Sequence, residues 1–192
     1  MPLCNVALCR LQGVRPVCHL LAPLPNTELY VDPALYGAAQ RVPGLAIFRY
    51  AGVINFATRP AFKDNLYHLV GVNPEKELQR QRAVQQGELG PAGSTDNFVE
   101  EMKRQEPSEL HAVVLDLSGV VRVDAEGVRT LLRVAEDYAK VRVAVCLAAP
   151  SDLVLGALVR SGAERLRVFP SVHDAVTAMT AAAAADHVQA RV

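Results

Sequence analysis

"LDLSGVVRVDAEGVRTLL", residues 115–132, holds the change of pattern on which the fold depends. Its first residues close an apolar run, "HAVVLDL", that reads as a buried strand. Beyond Asp124 the period lengthens, and Val128, Leu131, Leu132, Ala135 and Tyr138 fall on one face of a helix. Asp124-Ala125-Glu126-Gly127 is the turn between them. Asp124 stands where an N-cap belongs, so its carboxylate can accept N–H bonds from the first helical turn. Glu126 adds negative charge where the helix dipole is positive. Gly127 costs the first turn about 1 kcal/mol against alanine, which indicates that a neighbouring strand or a partner packs close there. Asp116, at the end of the strand, reads as the cap of the turn "DLSG", with a ligand role as its alternative.

The alternation continues downstream. "VRVAVCLAA" is a second strand, and Ser151 caps a helix through Leu153, Ala157 and Leu158 that ends at Gly162. "ERLRVF" is a short last strand. Ser171 and Asp174 form a capping-box-like start to a helix with Val172, Ala175, Val176 and Met179 on one face, and the alanines at 181–185 favour its continuation. Strands alternating with helices predict an α/β domain with parallel strands and right-handed crossovers.

Upstream, an apolar stretch from Val14 to Leu24 reads as a first strand. The proline-rich "PNTELYVDPALYGAAQRVPG" reads as an ordered surface connection. "LAIFRYAGVINFA", Leu45 to Ala57, is a strand interrupted near Gly52 by a bulge or tight turn. Arg59-Pro60 opens a helix with Phe62, Leu66, Leu69 and Val70 on one face and Gly71 as its stop. Residues 73–110 are polar and charged, and "GELGPAGST" at their centre has linker composition. Their edges could be helical. Because the same style resumes afterwards, they read as an insertion within one domain. The expected organisation is an N-terminal extension at 1–13, a domain at 14–185 interrupted at about 73–110, and a tail at 186–192.

Composition excludes several classes of function. The chain is 51% hydrophobic with a formal net charge of +0, which argues against a nucleic-acid partner. Tryptophan is absent and aromatics are 5% of residues, so stacking platforms for bases or sugars are not expected. Cys4, Cys9, Cys18 and Cys146 show no C-x-x-C spacing, and Cys146, in an apolar strand, reads as a small hydrophobe in a reduced compartment. His19, His68, His111, His173 and His187 are scattered, so no metal site is expected, and His68 and His173 read as solvated surface residues. No phosphate-cradling glycine loop and no nucleophile elbow occur. No stretch is apolar for the eighteen or so residues that a membrane-spanning helix needs, so the chain alone is expected to be soluble and cytosolic. No cofactor is expected.

"VVLDLSGVVRVDAEGVRTLLRV", followed by "VRVAVCLAAPSDLVLGALVRSGAERLRVFPSVHDAV", resembles the core of a STAS domain, the sulfate transporter and anti-sigma-factor antagonist module. Asn26-Thr27 with Tyr30, Tyr36, and "PGLAIFRY" at 43–50 resemble the start of the cytoplasmic STAS domain of sulfate permease/solute-carrier-26 anion transporters. An insertion after the first helix is also similar to the animal members. The resemblance spans roughly Val14 to Ala185. It implies a mixed, mostly parallel sheet of four to six strands with helices mainly on one face. In the bacterial antagonists a serine in the matching turn is phosphorylated to switch partners. Here that position is Ala125, Glu126 adds a fixed negative charge beside it, and Ser118 belongs to the preceding strand end, so phospho-switching there is not expected.

The resemblance further implies a domain without catalysis, on the cytoplasmic face of a membrane as part of a transporter whose membrane helices this chain lacks. The implied partners are the transporter's membrane domain and regulatory proteins, with homodimerisation through the parent transporter. The alternative is a free-standing STAS signalling regulator without the phosphorylatable serine. Weak nucleotide binding is a further alternative. Candidate partner-binding residues are Asp124, Ala125, Glu126, Gly127, Arg129 and Arg133, with Glu136 and Asp137 on the same exposed helix face. Ser94 and Thr95 in the insertion are candidate modification sites.

Overall fold

The computed structural model describes residues 16–85 and 110–189. Cys4, Cys9, Ser94, Thr95 and the "GELGPAGST" stretch lie outside these residues, as does the side chain of His187. Seven strands form one sheet: β1 (Val17–Pro23), β2 (Tyr30–Val31), β3 (Leu45–Ile54), β4 (Ala112–Asp116), β5 (Val120–Val123), β6 (Ala144–Ala148) and β7 (Arg167–Phe169). Among the described residues five helices accompany them: α1 (Arg59–Val70), α2 (Pro74–Gln85), α3 (Ala125–Lys140), α4 (Asp152–Arg160) and α5 (Val172–Gln189).

The strand order is β2-β1-β3-β4-β6-β7, with β5 pairing onto β3. β1 runs antiparallel to β2 and β3, while the β3–β4, β3–β5, β4–β6 and β6–β7 pairs are parallel. The expected count of four to six omitted two short strands. β2 has two residues, and β5 buries only its first and last valines, so neither shows the alternation that marks a strand.

Alternation along the longer strands builds two cores. Phe48, Tyr50, Val113, Leu115 and Leu147 turn toward α1, α3 and α4, where Phe62, Leu66, Leu131, Val134 and Leu158 meet them. Ile47, Val114 and Cys146 turn the other way and pack on Ala175, Val176 and Met179 of α5. Helices therefore lie mainly on one face, with α5 alone covering the other among the described residues.

Local signals were mostly expressed where expected. β3 changes register between Gly52 and Val53, with Gly52 at φ +147° and its N–H donated to the Gly119 carbonyl at 3.0 Å. Gly71 takes the left-handed conformation at φ 79° and donates its N–H to the Tyr67 carbonyl, ending α1. Ser171 Oγ accepts from Asp174 N at 3.0 Å and donates to the Asp174 carboxylate at 2.8 Å.

One reading is made definite and one changes. Residues 74–85, the first edge of the insertion, where a helix is one of the readings, form α2. Asn73 Oδ1 accepts from Glu75 N and Lys76 N at its start, and α2 packs against α3. His68 is exposed as expected, but His173 is half-buried with Nδ1 3.1 Å from the Tyr30 hydroxyl.

Candidate functional site

Strands β3, β4, β5 and β6 all point their carboxyl ends toward the Asp124 corner, the edge where parallel sheets commonly work. Asp124 caps α3 from an extended backbone, and its Oδ1 accepts the Gly127 N–H at 2.7 Å. Its other oxygen accepts the Phe56 N–H at 3.3 Å, and its own N–H donates to the Ile54 carbonyl at 3.2 Å. One carboxylate thus holds the start of α3 and the β3–α1 loop together.

The same loop is braced from within. Asn55 Oδ1 accepts from the N–H groups of Ala57 and Thr58, each at 2.9 Å, and Thr58 Oγ1 donates to the Val53 carbonyl at 2.7 Å. Gly127 is required by packing, because a Cβ there would lie 2.2 Å from the Ile54 carbonyl oxygen and 2.7 Å from Val123 Cγ2. The close neighbour that the glycine signalled is strand β3 itself.

Ala125 is exposed at the first helical position, with no hydroxyl to offer. The Glu126 carboxylate bridges two arginines, Arg59 of α1 at 3.2 Å and Arg129 one turn along α3. Arg133 lies exposed a further turn along. Of the expected residues, 124–127 and Arg129 therefore share one corner with Arg59. Asp124 and Gly127 hold it together, while Glu126, Arg129 and Arg133 present charge.

Sequence reasoning missed an apolar element at this end. Phe56, Val121 and Leu153 are 69%, 68% and 74% exposed. They come from the β3–α1 loop, from β5, and from the first turn of α4, which packs against β5. It also missed the partner of Asp116. This carboxylate is fully buried, takes the Nε–H of Arg49 at 2.6 Å, and accepts the Ser118 N–H at 2.9 Å. Its two oxygens are committed to holding β3 against β4 and to the turn.

Among the described residues no group of three metal-ligating side chains forms. Burial pushes the Cys146 thiol up to about 12, with Arg167 opposing, so it is a core atom rather than a nucleophile. No helix of the described residues is long and apolar enough to cross a membrane.

Comparison with known proteins matches this arrangement. Sulfate anion transporter 1 of Homo sapiens is 32% identical over 180 residues, taking in 84% of this chain and 25% of that protein. Prestin of Mus musculus is 27% identical over 205 residues, taking in 84% of this chain and 28% of that protein. The solved structure of SLC26A9 superposes with a TM-score of 0.70 at 27% identity, covering 93% of this chain and 26% of that one. The chain spans about a quarter of the length of these relatives. Residues 36–175, which run from the connection before β3 into α5 and include the whole Asp124 corner, match the family model of the STAS domain, and the chain belongs to that family.

Proposed function

We propose that this chain is the non-enzymatic interaction and regulatory domain of a sulfate/anion membrane transporter, held at the cytoplasmic face of the membrane. The observation that carries the reading is the carboxyl end of the sheet. The Asp124 carboxylate is taken up by the N–H groups of Phe56 and Gly127, while Phe56, Val121 and Leu153 stand out at the same end of the sheet as the Arg59–Glu126–Arg129 cluster. Exposed apolar residues with a charged rim suit a docking surface. The likeness to members of one transporter family, each about four times as long, supports the transporter's own membrane part as the partner. Ala125, exposed and without a hydroxyl, favours this reading over a phosphorylation-gated regulator.

The test is binding of the purified chain to the separately produced, detergent-solubilised membrane part of sulfate anion transporter 1 or of the longer protein that carries this domain. Saturable binding is expected. Phe56→Asp combined with Leu153→Asp should weaken it by about tenfold or more, as loss of central apolar anchors does. Binding that is absent, or indifferent to both changes, would overturn the proposal. Stoichiometric nucleotide binding lost on changing Asp124 or Asp116 would favour a different function.

A further inference from the structure

Helix α4 buries one side and leaves the other apolar. Val154 and Leu158 enter the core, while Leu155 and Val159 are 40% and 63% exposed. Between these two and the exposed Leu153 runs a row at i+4 spacing: Asp152, Gly156 and Arg160. Asp152 and Arg160 are exposed, and neither has an ion-pair partner among the described residues.

Gly156 has no reason within the domain. The three atoms nearest to a Cβ built on it all belong to the Arg160 guanidinium, the far end of a flexible side chain. Its φ is not positive, so its backbone does not ask for glycine either. A glycine in the middle of an exposed helix weakens it. What glycine does supply is room for a second backbone to come close.

The row itself says which backbone. It reads acid, glycine, base, with Gly156 at the midpoint. Turned end for end about Gly156 it reads base, glycine, acid, so it complements a second copy of itself. Rows at i+4 spacing pack along one another when two helices cross at about 50°. In an antiparallel crossing of that kind Leu155 and Val159 meet their own counterparts on one side of the row. Leu153, already assigned to the corner surface, lies on the other side.

We infer that α4 pairs with α4 of a second copy of this chain, antiparallel and crossing at Gly156, with each Asp152 set against the partner's Arg160. This is the self-complementary contact that a two-fold axis requires, residue i on j and j on i. Nine residues of helix are about 14 Å long, too short to reach the roughly 1,200 Å² of a stable interface, so the pair is weak and reversible. The inference does not depend on the proposed function, and its test contains no membrane part, so the two fail separately.

The test is sedimentation equilibrium of the 192-residue chain in reducing buffer. A dimer with a Kd of about 0.1–1 mM is expected, as for contacts below the standard size. Gly156→Gln, a good helix former that fills the crossing point, should weaken it by about tenfold or more. Asp152→Lys and Arg160→Glu should each weaken it by about fivefold, since each breaks two exposed pairs per dimer. The double variant Asp152→Lys with Arg160→Glu should restore it, which damage to α4 alone would not allow. A chain that stays monomeric at about 1 mM, beyond the Kd that so small a contact allows, would overturn the inference. So would self-association indifferent to Gly156→Gln, or a double variant no better than the single ones.

Discussion

Gly127 sits where any side chain would strike a backbone carbonyl of the adjacent strand, and a carbonyl in a paired strand has nowhere to go. Gly127→Ala should therefore cost about 2–3 kcal/mol, the upper range for overpacking, even though alanine is the better helix former. A urea midpoint series checks this, and an unchanged or raised midpoint would contradict the packing described. Asp124→Ala should cost about 1–2 kcal/mol, since it removes the cap and also the bond to Phe56 N. Asp124→Asn, which keeps an acceptor oxygen, should recover most of that loss. Cys146, with its thiol raised by burial, should resist iodoacetamide in the native protein at pH 8 and react only on unfolding, as read by mass spectrometry. At this scale the sequence was informative when cause and effect lay close along the chain. The cap spans three residues, and the glycine's helix cost was visible without its neighbour. The Arg59–Glu126 pair joins positions 67 apart, and nothing in either residue's surroundings announces the other.

Strands β3 and β4 are tied by more than their ladder. Arg49 and Asp116 lie opposite one another in register, and the buried carboxylate relies on a guanidinium whose side chain is 37% exposed. Arg49→Met should leave a buried charge without its partner and cost about 3 kcal/mol. The double variant with Asp116→Asn should be more stable than Arg49→Met alone, and thermal melts of the single and double variants measure that coupling. Equal melting of the two would show that the pair contributes nothing. Element by element, the long helices and central strands were legible because one buried face imposes a period on the sequence. β5 was not: Val120 and Val123 are buried with two exposed residues between, a spacing that belongs to neither a strand nor a helix pattern. Phe56 was misplaced for a related reason. It continues the strand-like run "VINFA", but β3 ends at Ile54 and the ring projects from the loop.

Taken whole, the domain shares one sheet between two cores, and this should make it unfold as a unit. Met179 is buried in the α5 face, whereas Tyr50, Tyr67 and Tyr138 lie in the opposite core. Met179→Ala should cost about 2–4 kcal/mol, as buried methionine truncations do. The same midpoint shift should appear in tyrosine fluorescence and in far-ultraviolet dichroism. Separate midpoints would mean that the two faces melt independently. The register of β1 carries a different consequence. Val17 pairs with Ala51, beside the bulge that leads into β5 and the Asp124 corner. A polypeptide joined ahead of Val17 therefore enters the domain at the end where Phe56, Val121 and Leu153 are exposed. For anything so tethered, the local concentration at that surface is on the order of millimolar. A contact too weak to survive dilution between separate molecules would be held closed there by connectivity alone.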